Sequence, residues 1–506
     1  MRPLIRAFGL ALSPVAAGFR RALAQPAEAQ AKLRAALWAR GAQTAYGRAV
    51  GLPAGQDPPI VDYESLRPWI ERQRDEGGAI SLPEAPLFWE KTSGSRGPAK
   101  YIPYTRALKK SFSRMFAIWA EDLIRRGPAF RTGRLYLSIS PDFGAAERTE
   151  LGAQVGLEDD RDYLEGPLRL ALSPFFVAPP GLSQLRDPEA FRRRLALHLL
   201  AEPRLEIMSI WNPSFLLVLL ELIGAEREAL LRDLPPKRAR ELKEAFALPR
   251  PDFARVWPEL KLVSAWGHGH AAPLFSRLAA ALPQALHQPK GLLATEAPIT
   301  LPLVGAAGGV PLVDEVLLEL LRPDGSLAPL AELEAGEEGE LVVSQKGGLL
   351  RYRLGDRVRV GPRFVATPTL DFLGRAGMIS DLVGEKLEER FVADALEEAA
   401  VSGAAVRALI PVRSPRDHYV LLLDALGDSA SAVEARLEAA LSRGHHYQRA
   451  RQLAQLSPVE VKVHPRAAEL LADAALRRGI KLGDLKPSLL ELVPADAALS
   501  RELSRE

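Results

Sequence analysis

The chain has no cysteine among its 506 residues. Disulfides, thiolate-bound metals, iron–sulfur clusters and a cysteine nucleophile are therefore excluded. Long apolar runs are missing too, since none reaches the ~18 residues that a membrane span needs. Net charge is small, +3 from 66 basic and 63 acidic residues, and no basic run stands out, which argues against nucleic acid as a partner. Internal repeats and low-complexity linkers are also absent. What remains is a chain that is 47% hydrophobic and too long for one core, so two or more domains are expected. A soluble cytoplasmic protein is the expectation.

The first residues, MRPLIRAFGLALSPVAAGFRRALAQ, run basic, apolar and then ALA, in the order of a secretion signal. Leu4, Ile5, Phe8, Leu12, Val15, Phe19 and Leu23 nevertheless recur at helical spacing, and Arg20 and Arg21 interrupt before the would-be cleavage point. The spacing predicts an amphipathic helix that docks on the rest of the protein.

Farther along, helical patterns alternate with short apolar strands. Strands are expected at 134–140, 205–211, 260–266 and 340–345, with amphipathic stretches at 213–233 and 273–282. Such alternation argues for an α/β architecture. Segment 234–259, punctuated by PP, PR and PD, reads as a surface excursion. Near residue 363 the texture changes. FVATPTLDFLGRAGMISDLVGEKLEE reads as a strand, a turn and a return into a helix. Helices at 386–400, 430–442 and 466–478 and strands at 405–412, 418–424 and 459–463 then suffice for a small α/β domain. We expect a large N-terminal domain, 1–375, and a C-terminal domain, 376–506, with Gly374 and Gly377 permitting hinge-like backbone angles.

Four stretches carry chemistry. KTSGSRGPAKYIPYT (91–105) packs hydroxyls, two glycines and a lysine into one loop. Glycines let backbone amides approach an anion, hydroxyls add donors and the lysine adds charge, which suits a phosphate; the alternative is an ordinary polar turn. It is not a Walker loop, because Lys100 does not follow a glycine. In GLLATEAP, the Thr295–Glu296 carboxylate would hold Mg²⁺ against a polyphosphate, or else serve as the acid of a helix start. In GGLLRYRLGDRV, Asp356 falls in an expected βα-type turn, where a carboxylate accepts both ribose hydroxyls or is simply a turn aspartate. KLGDLKPSLL places a lysine before a proline close to the C-terminus, which taken alone reads as a solvated lysine. His268 and His270 in WGHGH lack an evident third ligand for zinc, and the plain reading is a loop beside a nucleotide or acyl pocket.

The order of these stretches resembles the adenylate-forming superfamily and, more closely, the auxin-responsive acyl-acid amido synthetase family in a bacterial-type version. TSGSRGPAKYIPYT, WGHGHAAP, KGLLATE, GGLLRYRLGD, GEKLEE, HHYQRARQLAQLSPVEVKV and the terminal LKP carry the resemblance, as does IVDYESLRPWIERQ near residue 60. It implies a large adenylate-forming N-terminal domain of mixed sheets and helices and a small mobile C-terminal α/β domain. It also implies a two-step reaction. A carboxylic acid attacks the α-phosphate of ATP, and the amine of an amino acid then displaces AMP to leave an amide.

Carried across, Thr92, Ser93, Gly94, Ser95, Gly97 and Lys100 match the phosphate loop. Thr295 and Glu296 match the pair at the α-phosphate and Mg²⁺, Asp356 the ribose aspartate and Arg375 the arginine before the hinge. Lys486 matches the C-terminal lysine that serves adenylation. ATP and Mg²⁺ are thus implied, with a small carboxylic acid and an amine as the other partners. Arg96, Leu292 and Gly377 depart from the superfamily pattern, and LKPSLL lacks the arginine that often follows. Thioester formation with coenzyme A, and an ATP-binding protein without catalysis, stay open beside the amide reading.

Overall fold

The computed structural model describes residues 2–92, 100–138, 147–148, 154–155, 166–177, 181–182, 185, 187–268, 271–375, 377, 379–383, 385–413, 416–452, 455–480, 485 and 488–504. A mixed α/β architecture is present. Four parallel strands stand side by side in the order Leu135–Leu137, Ile207–Ser209, Leu262–Ala265 and Leu286–Pro289. Parallel neighbours need crossover connections, and helices such as Pro188–Ala201, Pro213–Ala225 and Ala272–Ala281 supply them. Leu262–Ala265 is buried at every position, the pattern of a strand covered on both faces.

A second, antiparallel sheet runs Leu327–Pro329, Val316–Leu321, Glu338–Gln345, Tyr352–Phe364 and Thr367–Arg375. Ahead of both sheets in sequence lies the hairpin Pro86–Thr92 and Lys100–Thr105, which leads into the helix Arg106–Arg126. Thr105 caps that helix, its hydroxyl accepting from the Leu108 N–H.

The N-terminal helix, Arg2–Ala24, docks on Arg106–Arg126 as its spacing predicts. Its buried face is Ile5, Gly9, Ala16, Phe19 and Leu23, whereas Leu4 is 47% exposed. A Cβ at Gly9 would come within 2.9 Å of Ile124, and Arg20 reaches Glu121 at 2.9 Å. Among the described residues no helix is long and apolar enough to cross a membrane.

The C-terminal sheet, Arg407–Val412, His418–Leu423 and Glu460–Val463, has one antiparallel and one parallel pairing. Alternation sorts its side chains. Leu409, Tyr419, Leu421 and Leu423 share a core with the helices Glu389–Glu398 and Ala430–Leu441. Ala408, Ile410, Val412, Val420 and Leu422 face the other way, onto Ala467, Ala474, Leu499 and Leu503. That second layer is continuous with the parallel-sheet core through Leu216, Leu219, Leu274 and Leu278.

Segment 234–259 corrects the expectation of a surface excursion. Its helices Pro236–Phe246 and Phe253–Val256 bury Leu242, Phe246, Val256 and Trp257. The guanidinium of Arg238 is buried as well, donating to the carbonyls of Leu200 (2.8 Å) and Val256 (2.6 Å). Pro236 occupies the first helical turn, where a missing N–H costs nothing, so it opens a helix where the sequence suggested a loop.

Candidate active site

The glycine–lysine loop is bracketed by the first hairpin. Thr92 ends one strand and Lys100 begins the next, and the two are register partners. Ser93, Gly94, Ser95 and Gly97 lie outside the described residues, as does Arg96. Lys100 Nζ stands 5.4 Å from the centre of the Tyr63 ring, and the Tyr101 N–H donates to Tyr63 Oη at 2.8 Å. Burial pushes the Tyr63 phenol up, so it meets that N–H as a neutral acceptor. Tyr63 is a residue the motif reading missed. Its sequence signals are its place in IVDYESLRPWIERQ and directly after Asp62, the cap of the helix Tyr63–Glu76.

Thr295 and Glu296 form the turn between the two-residue strands Leu293–Ala294 and Ala297–Pro298. This removes the alternative of a helix-starting acid. The preceding Gly291 lies so close to Thr300 that a Cβ would stand 2.2 Å from its carbonyl oxygen, which accounts for glycine there. Leu292 donates its N–H to Thr300 Oγ1 at 2.7 Å. Two tyrosines gather the separate motifs. Tyr104, fully buried in the strand after the loop, donates to the Thr295 carbonyl at 2.7 Å. Tyr352 donates to Glu296 Oε1 across a long 3.4 Å.

Asp356 is not in a βα-type turn, as expected, but within the strand Tyr352–Phe364. The glycine signal was real, and its cause is different. Gly355 takes φ +77, and the register slips between Glu340 and Val342 on the neighbouring strand, so Leu354–Asp356 forms a bulge. The bulge re-aims the side chain, and Asp356 is buried with Arg375 as its partner across the next strand pair. On either side of Arg375, Gly374 and Gly377 take φ values of +145 and +67.

The carboxyl ends of the parallel strands, where open α/β sheets hold their ligands, carry Trp211, Asn212, Trp266, His268 and Lys290. Lys290 Nζ donates to Ser209 Oγ at 2.7 Å and faces the Trp211 and Trp119 rings at 4.8 and 5.6 Å. With Met115, Phe116 and Leu293, these side chains line a small cleft. His268 Nδ1 is 4.0 Å from Asp371, and His270 lies outside the described residues. Among the described residues no group of three or more histidine and acidic side chains is arranged to hold a metal. Lys486 also lies outside them, between the described Leu485 and Ser488.

With this geometry in view, comparison with known proteins assigns the chain. The GH3 family N-terminal domain model matches residues 15–235, the central domain model 317–375 and the C-terminal domain model 390–491. The chain belongs to the GH3 family. An indole-3-acetic acid-amido synthetase, GH3.8, from Oryza sativa subsp. indica is 30% identical over 193 residues, covering 33% of this chain and 32% of that protein. The alignment thus spans about a third of this curated relative.

The solved structure of an acyl acid amido synthetase, AtGH3.15, in complex with 2,4-DB superposes with a TM-score of 0.81 at 17% identity, covering 97% of this chain and 95% of that one. A 2-hydroxyisobutyryl-CoA ligase in the postadenylation state matches with a TM-score of 0.52 at 16% identity, over 94% of this chain and 91% of the other. The fold of the acyl acid amido synthetase therefore runs through nearly the whole chain, and the fold of the 2-hydroxyisobutyryl-CoA ligase is similar to it.

Proposed function

We propose that this GH3 protein activates a carboxylic acid with ATP as an acyl adenylate and transfers the acyl group to an amine, in the first place an amino acid, to form an amide. The observation that supports the reading is the pair of tyrosine bonds that tie the Thr295–Glu296 turn to two other motif-bearing strands. Tyr104 and Tyr352 tie the Thr295–Glu296 turn to the strand that Lys100 opens and to the strand that bears Asp356.

ATP enters as substrate. Residues 92–100 bind its phosphates, Lys100 with a charge and the loop with amides and hydroxyls. Asp356 accepts the ribose hydroxyls, and Arg375 stands before the hinge. Mg²⁺ usually takes one or two carboxylates and fills its other positions with water and phosphate oxygens. Glu296 fits that demand, since its carboxylate is buried and the bond it accepts from Tyr352 is long. A Mg²⁺ ion held by Glu296 would supply charge neutralisation at the polyphosphate. Negative charge grows on the oxygens about the α-phosphorus, and cations already in place lower the barrier most where water is excluded.

Lys486 supplies such a cation from a mobile C-terminal domain, residues 376–506, hinged at Gly374–Gly377. The acid's apolar portion lies in the cleft beside Trp119, Trp211 and Lys290. A cytoplasmic location goes with a reaction that draws on ATP. The test offers the protein ATP, Mg²⁺ and a productive acid, with an amino acid and coenzyme A together, and identifies the product by mass spectrometry. An amide is expected. A thioester in its place would make the protein a coenzyme A ligase.

A further inference from the structure

Three polar side chains form a row across the parallel sheet. Ser209 and Ser264 are register partners on adjacent strands, and so are Ser264 and Gln288. Register partners share a face, so the row crosses one side of the sheet near its carboxyl ends. Packing alone would ask for apolar residues there, as at Leu262, two positions before Ser264 on the same face. The outer members of the row are satisfied. Ser209 Oγ accepts from Lys290 Nζ at 2.7 Å, and Gln288 Oε1 accepts from Trp119 Nε1 at 2.8 Å. The middle member is not. Ser264 is 0% exposed, and its Oγ finds no hydrogen-bond partner among the described residues.

That hydroxyl borders open space. Ser264 and Lys290 line the cleft whose apolar walls include Met115 and Trp119 from the helix Arg106–Arg126, Trp211 and Leu301. Ligand sites commonly set a few fixed polar groups in apolar walls, and those groups read the ligand. Both groups here are fixed. The bond to Ser209 and the Trp211 ring at 4.8 Å hold the ammonium, and pairing on both sides holds the strand of Ser264. An ammonium and a hydroxyl side by side present donors, and what answers donors is an acceptor oxygen. Leu293 lines the same cleft two positions before Thr295. The reacting carboxylate of an acid therefore belongs at the Thr295–Glu296 end, and the polar row faces the acid's other end.

We infer that the cleft takes an acid with a second acceptor oxygen, remote from the reacting carboxylate, and that Ser264 and Lys290 select it. The inference rests on the adenylation reading given above. A site built to hydrogen-bond a substrate group rejects the analogue that lacks it, because the site's own buried polar groups are then left unpaired. Apolar acids of the same size are accordingly poor substrates.

The test uses sets of three chain-matched acids, ending in an isopropyl group, a methyl ketone or a second carboxylate, at several chain lengths. Binding is read by titration calorimetry without ATP, and activation by acid-dependent ATP–pyrophosphate exchange. At the fitting length the parent should favour the ketone- or carboxylate-ended acid over the isopropyl-ended one by about tenfold or more, in affinity and in kcat/KM. A carboxylate preferred to the ketone assigns a dianion, and the reverse assigns a neutral carbonyl. Ser264→Ala and Lys290→Met should each shrink the preference, the second most for the carboxylate, and should bind the isopropyl-ended acid at least as well as the parent does. Ser264→Ala should melt no lower than the parent, since it removes an unsatisfied buried hydroxyl. A lower melting temperature would show that the hydroxyl serves the fold and overturn its selecting role. Equal preference for all three acids at every length in the parent overturns the inference. So does a loss that the variants spread evenly over the three acids, which would put Lys290 on the carboxylate they share. If no acid supports exchange in the parent, the adenylation reading falls, and calorimetry still judges the cleft. If exchange is best with isopropyl-ended acids, the inference alone falls, and silence in both measurements removes both.

Discussion

On the proposed reading, single residues divide the site into groups that meet the phosphates and groups that hold those in place. Lys100→Ala and Glu296→Gln each remove a preplaced charge, so each should lower acid-dependent pyrophosphate exchange by about 10²–10³, the size seen when one such group is lost. Tyr352→Phe should cost less than about tenfold, because a 3.4 Å contact is a weak hydrogen bond. Equal exchange in all three variants would remove the phosphate end from Lys100 and Glu296.

A second residue, far from that chemistry, answers to pH. Asp496 caps the final helix, accepting from the Leu499 and Ala498 N–H groups at 2.8 and 3.0 Å, and pairs with Arg477 at 2.8 Å. The Arg477 guanidinium first, and then those amides, hold its carboxyl at about 2, below the usual 3.8. A depressed folded-state value means the stabilisation is complete above pH 4 and is lost as the pH falls through 2. Asp496→Ala should cost about 1 kcal/mol at neutral pH through the lost cap. Urea midpoints at stepped pH should show the gap narrowing as the pH falls from 4 through 2, and a gap at pH 2 as wide as at neutral pH contradicts this origin.

At the scale of elements, local pattern was a good guide wherever burial alone sets the period. The C-terminal strands Arg407–Val412, His418–Leu423 and Glu460–Val463, and the helices between them, fall within a few residues of their expected positions. Their alternating or 3.6-residue apolar repeats are strong. The errors have physical causes. The prolines before Trp257 open a helix, and the glycine at 355 makes a bulge. One residue type serves both a loop and an element start, so sequence alone did not separate them.

The tyrosine links of the site were not legible either, because Tyr104 and Thr295 stand 191 positions apart and such a contact leaves no local signature. The corrected segment makes its own prediction. Trp257→Ala should destabilise the protein by about 3–5 kcal/mol, as for a large buried aromatic side chain, measured by denaturant unfolding. A loss below about 1 kcal/mol would return 234–259 to the surface. The lysine segment is also an element in this sense. Lys486→Ala should slow adenylation by about 10²–10³ and spare the reaction of a supplied acyl adenylate with the amine. Single-turnover rates for the two steps decide it, and a variant that adenylates normally makes Lys486 an ordinary surface lysine.

In the whole molecule, the carboxyl ends of the parallel sheet border the cleft, and in the antiparallel sheet Asp356 and Arg375 are register partners. The C-terminal layer rests against the parallel-sheet core through a shared apolar face. On the proposed reading the protein takes ATP, an acid and an acceptor in sequence, and the first of these meetings is the one on which everything else depends. It is measured by exchange of labelled pyrophosphate into ATP across a panel of carboxylic acids, with no amine present. Exchange should appear only when both a suitable acid and Mg²⁺ are supplied, and it should fall by about 10²–10³ in Lys100→Ala. Tight ATP binding without exchange for any acid in the panel would contradict acid activation and leave a protein that holds ATP on an adenylate-forming fold.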